Sequence, residues 1–111
     1  MQDCKQIDTS EIQMIFEGDN ESLRDYYVLC TETLATMYQA FLQSIAEKDF
    51  SVYRNTRHSI RPTLEIVSLS DFIKELEEVN EDDPNWTDKA KKLATEFNAV
   101  IDAFREEARK L

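Results

Sequence analysis

The sequence predicts an all-α protein: an antiparallel four-helix bundle with a short additional helix at its N-terminal end. Three observations carry this expectation. One glycine and two prolines in 111 residues leave too little turn chemistry for a hairpin-rich β fold. Apolar residues recur at alternating steps of three and four along several stretches, the period of a helix with one buried face. Residues that cap helices stand ahead of those stretches. A chain of 111 residues with 41% hydrophobic content makes a single domain, 1–111, able to bury a packed core.

The elements follow in order. A first helix runs from about Ser10 to Glu17, with Ile12, Ile15 and Phe16 on one side, and stops at the lone Gly18. Asp19 or Asn20 caps a long second helix to about Lys48. Its seam is Leu23, Tyr27, Cys30, Leu34, Met37, Phe41 and Ile45, the pattern of a helix packed lengthwise on others. Asp49 caps a third helix from Phe50 to about Val67. Ser70-Asp71 opens a fourth with Phe72, Ile73, Leu76 and Val79 turned inward, and an acidic loop from Asn80 to Asn85 follows. Thr87-Asp88 begins the last, whose Leu93, Phe97, Val100, Phe104 and Leu111 step by three, four and seven. The aromatics Tyr26, Tyr27, Tyr38, Phe41 and Trp86 are expected in the core or at its rim.

A formal net charge of −10 argues against a nucleic-acid partner, because an acidic surface repels phosphates and releases no counterions from them. It argues equally against an anionic membrane. No apolar run approaches spanning length, and the opening Met1-Gln2-Asp3-Cys4-Lys5 has no signal-peptide core. Cys4 and Cys30 form no metal or redox motif, and Cys30, among apolar neighbours, is a small core residue. A reducing cytoplasm is the expected setting, and no cofactor or metal is expected on this chain. The acids from Glu75 to Asp83 are expected to be a solvated face and loop rather than a metal site.

Against this acidic background, Arg54-Asn55-Thr56-Arg57-His58-Ser59-Ile60-Arg61-Pro62 contains three arginines, no acid and the chain's single histidine. At about 100° per residue, Tyr53, Ile60, Leu64 and Val67 form the buried stripe, and His58 falls about 130° away from it. The imidazole is therefore expected in solvent, with Arg54, Asn55, Arg61 and Pro62 one turn to either side. By position alone His58 reads as an ordinary surface histidine; its cationic neighbours also suit a phosphoryl carrier. A metal ligand lacks a second histidine, and no triad or nucleophile elbow is present. Arg57 lies beside the apolar stripe, where its stem can simply pack.

His58-Ser59-Ile60-Arg61 resembles the His-x-(Leu/Ile)-(Lys/Arg) signature of histidine-containing phosphotransfer (HPt) domains of two-component phosphorelays. The resemblance covers most of the chain. Glu17-Gly18-Asp19-Asn20-Glu21-Ser22-Leu23 is similar to the Gly-Asp opening of the family's long second helix. Asp49 matches the start of the histidine helix, and Phe50, Tyr53, Leu64 and Val67 fit the apolar positions around the motif. Two positions depart from it: Pro62 and Ser68 stand where the family commonly has glycine. Pro62 also removes the N–H that would bond the carbonyl of His58, which predicts a kinked or loosened turn.

The resemblance implies that His58 accepts a phosphoryl group from a receiver-domain aspartate and passes it to another receiver, without kinase activity or ATP binding. Arg61 is the implied phosphate-stabilising cation, with Arg54 a second. Pro62, Ile66 and Asn55 are the candidate docking residues beside His58. Magnesium would come with the receiver. The implied partners are response-regulator receiver domains, with a hybrid histidine kinase as a further one, and the protein would act as a monomer. The alternative is a non-catalytic helical interaction module, a degenerate relative that binds a receiver without being phosphorylated. A third option is an acidic protein that masks a basic surface.

Overall fold

The computed structural model describes residues 6–111. Cys4 and the rest of the opening segment lie outside the described residues. The architecture is all-helical: α1 (Ser10–Phe16), α2 (Asn20–Glu47), α3 (Phe50–Ile66), α4 (Ser70–Glu78) and α5 (Trp86–Lys110). α2 packs against α3 and α5, α4 packs on α3 and α5, and α1 rests on α2. At 1.5 Å per residue, 28-residue α2 is about 42 Å long. That nearly matches the 48 Å long axis of the molecule, whose other extents are 24 and 23 Å, so the long helices run lengthwise.

The direction of α5 follows from its ring contacts with α2. Tyr27 meets Phe104 at 6.3 Å and Tyr38 meets Phe97 at 5.2 Å. Rising numbers on one helix meet falling numbers on the other, so the two are antiparallel. α2 and α3 form a second antiparallel pair through a two-residue connection. Asp49 N–H donates to Ser44 O at 2.8 Å and Lys48 N–H to Ile45 O at 3.2 Å, with Lys48 left-handed at φ 55. Those bonds close α2 in a Schellman-type turn. The side chain of Asp49 then accepts from Val52 N–H at 3.3 Å to start α3, and Asp19 accepts from Ser22 N–H at 3.1 Å to start α2.

The core centres on rings. Phe41, fully buried, stands 5.5 Å from Tyr53 of α3 and 5.2 Å from Phe97 of α5. Trp86 closes one side, 5.1 Å from Phe50 and 5.6 Å from Tyr53. Cys30 is buried, and burial pushes its thiol pKa up, which suits an inert core residue. The expected seams of α2, α4 and α5 are inside, with two exceptions on the expected apolar lists. Leu111 lies beyond α5 and is exposed, and Ile15 of α1 is 62% exposed. α1 leans on Ile12 and Phe16, whose ring meets Tyr26 at 5.4 Å. Ile15, at the edge of that contact, stands in solvent.

α4 is held to α3 by side chains rather than by caps of its own. Tyr53 Oη donates to Leu76 O at 2.8 Å, and burial pushes that hydroxyl up to about 12 against the pull of the Arg57 guanidinium, so it stays a donor. Arg57 Nη1 donates to the carbonyls of Leu76 and Val79, both at 3.1 Å. The guanidinium also lies 5.5 Å from the rings of Phe50 and of Tyr53. The stem packs as the helical phase suggests, and the head closes the end of α4. Arg57→Ala is expected to cost about 1.5–3 kcal/mol in urea unfolding, the range for hydrogen bonds from a charged donor.

Candidate functional site on α3

α3 presents the site. It continues through Pro62 to Ile66 as one 17-residue helix, so the proline removes a backbone donor without ending the element. Its buried face is Phe50, Tyr53, Thr56, Ile60 and Leu64. His58 lies on the opposite side and is exposed, together with Arg54, Asn55, Arg61 and Pro62. Among the described residues no hydrogen bond or ion pair engages His58, so no acid of the fold occupies its imidazole.

The cations beside it differ in what they touch. Arg54 sits 5.8 Å from the Phe50 ring, and no carboxylate among the described residues pairs with it. Arg57 is committed to α4. Arg61 is held twice: Nε donates to Glu65 Oε2 at 3.0 Å, and Nη1 to Glu77 Oε2 at 2.5 Å. The Glu65 hydrogen bond and the Glu77 charge raise the Arg61 pKa further, so it is a fixed cation with two of its five N–H donors in use. Glu65 stands four residues after Arg61 on the same helix, the spacing of a helical ion pair. Glu77 is brought in by packing, sixteen residues along the chain, and nothing in the sequence pattern marks it.

Two shallow grooves flank this face between α3 and the α4 region. One, of about 460 Å³, is lined by Arg61, Glu65, Ile73, Lys74 and Glu77, among others. The other, of about 270 Å³, includes Arg54, Arg57, Glu77 and Glu81 in its lining. His58 lines neither, and stands on the convex surface of the helix. Ile66, the third expected docking residue, is half-buried and packs in part against the core. The chain before α1 returns to that end of α3, where Asp8 N–H donates to Val67 O at 3.1 Å. Among the described residues, the exposed large apolar side chains are Met14, Ile15, Val28, Leu29, Leu42 and Leu111.

Ser68 stands just past the end of α3. It has φ 63, with Ser68 N–H donating to Glu65 O and Leu69 N–H to Leu64 O, both at 3.1 Å. This is a Schellman-type close, which places a left-handed residue just past the helix and favours glycine there. Ser68→Gly is expected to raise stability by about 1 kcal/mol, seen as a higher melting temperature, because it removes the clash of a Cβ in that conformation.

Comparison with family models, with curated proteins and with solved structures finds no match to this chain. No helix among the described residues is long and apolar enough to cross a membrane.

Proposed function

We propose that the protein is a phosphoryl carrier of the histidine phosphotransfer type, in which α2 to α5 serve as a four-helix bundle with α1 laid across it. The observation that carries this is the placement of His58: an exposed imidazole on α3 that no acid among the described residues engages and that lines neither flanking groove. A nucleophile on a convex surface has no pocket in which to bind a small substrate. It acts on a group that another macromolecule brings to it.

The chemistry needs little from the carrier. One imidazole nitrogen attacks the phosphorus of a receiver's aspartyl phosphate in line, the N–P bond forms, and the carboxylate leaves with the electrons of the P–O bond. Transfer to a second receiver is the reverse step. Such a transition state is loose, with charge spread over equatorial oxygens, so positioning and nearby cations supply most of the catalysis. Arg54 is placed for those oxygens, and Arg61 once its carboxylates yield. Magnesium belongs to the receiver.

Incubation with phosphorylated receivers tests this reading: acid-labile, base-stable label is expected on the chain. A second reading, a relative that binds receivers without taking phosphate, draws on Arg61 being held by two carboxylates. Receiver binding without label would select it.

A further inference from the structure

Glu77 reaches the site from another element. Its Oε2 lies 2.5 Å from Arg61 Nη1 across the α3–α4 boundary, while Glu65 holds Nε of the same guanidinium from one turn along α3. A guanidinium presents its N–H donors in a planar fork, and carboxylate and phosphoryl oxygens compete for the same directions. Arg61 is one turn from His58, so a phosphoryl group there, with close to two negative charges, calls on those donors.

We infer that Glu77 is a built-in rival of the phosphoryl group for Arg61, and so sets how firmly His58 retains its load. The inference rests on the carrier reading of His58. The two acids are not equivalent. Glu65 shares a helix with Arg61 and can follow it as it turns. Glu77 is anchored on α4, whose end is fixed to α3 through the bonds that Leu76 and Val79 accept. Swinging Arg61 toward His58, one turn back along α3, draws it away from the Glu77 carboxylate on α4 as well as from Glu65.

The effect is thermodynamic. The Arg61–Glu77 pair stabilises the unloaded protein, and loading shares or breaks it, so the phosphoryl group leaves more readily than it would with Arg61 uncontested. Both partners are exposed, at 46% and 40%, so the effect is modest, about two- to fivefold in the loading equilibrium. Glu77 is thus a positioning residue, acting through Arg61 and touching no reacting atom.

Phosphoramidate tests this on the full chain without a receiver. The imidazole nitrogen attacks phosphorus, the P–N bond to the amine breaks, the new N–P bond forms and ammonia leaves. At a fixed ratio of phosphoramidate to ammonium, phosphorus NMR quantifies loaded His58, and the total protein concentration gives the unloaded remainder. Glu77→Gln is expected to raise that ratio about two- to fivefold. In the Arg61→Ala background the same substitution is expected to change nothing, because no cation remains to contest.

An unchanged ratio in Glu77→Gln, whether or not its melting temperature falls, overturns the inference and leaves the carrier reading standing. An increase that persists without Arg61 also overturns it. A wild-type chain whose His58 takes no phosphoryl group from phosphoramidate or from any receiver sinks both.

Discussion

His58→Gln is expected to abolish phosphoryl acceptance from a phosphorylated receiver while the protein stays folded. Glutamine keeps length and polarity but has no nucleophilic nitrogen, so transfer falls to background rather than by a modest factor. Because the side chain is exposed and makes no hydrogen bond among the described residues, the unfolding free energy is expected to change by less than about 0.5 kcal/mol. The two measurements belong together. Loss of label with an unaltered denaturation curve assigns the chemistry to the imidazole. Label persisting in the variant would place the acceptor elsewhere and remove the basis for the proposed role.

Phe41→Ala is expected to have the largest effect on stability, about 3–5 kcal/mol, from lost burial and the cavity left behind. Phe41 is where three helices meet: its ring contacts Tyr53 of α3 and Phe97 of α5 from its place on α2. Such ring pairs contribute beyond their buried area, which puts the upper part of the range within reach. Against a typical total of about 5–15 kcal/mol, this is a large share. The check is urea unfolding, where the midpoint is expected to fall with little change in slope. A loss below about 1 kcal/mol would mean that the three helices do not converge on this ring.

The helices were legible in the sequence because local chemistry specifies them. The three-and-four periodicity of α2 and the caps Asp19 and Asp49 placed boundaries within a residue or two of those observed. Helical phase also placed His58 outward and Arg57 beside the core, since both follow from 100° per residue along one element. What phase cannot supply is the neighbouring element. Glu77 on Arg61 and the Leu76 and Val79 carbonyls on Arg57 are consequences of how α4 lies on α3. Ile66 shows the same limit: its helix alone exposes it, and packing beyond the helix leaves it half-buried. Ser68 was visible as an unusual residue, but its left-handed backbone belongs to the turn.

The short helix α4 has a consequence for cooperativity. Nine residues, with no side-chain cap at the N-terminus, do not hold a helix in water by themselves. Tyr53 and Arg57 take up the carbonyls at its far end, so its opening and theirs are one event. α3 and α4 are therefore expected to open together, as one unit of local unfolding. Glu77 cannot drift from Arg61 by fraying of α4 alone, because that fraying also uncovers Tyr53. The acid that contests the site has the stability of the core beneath it.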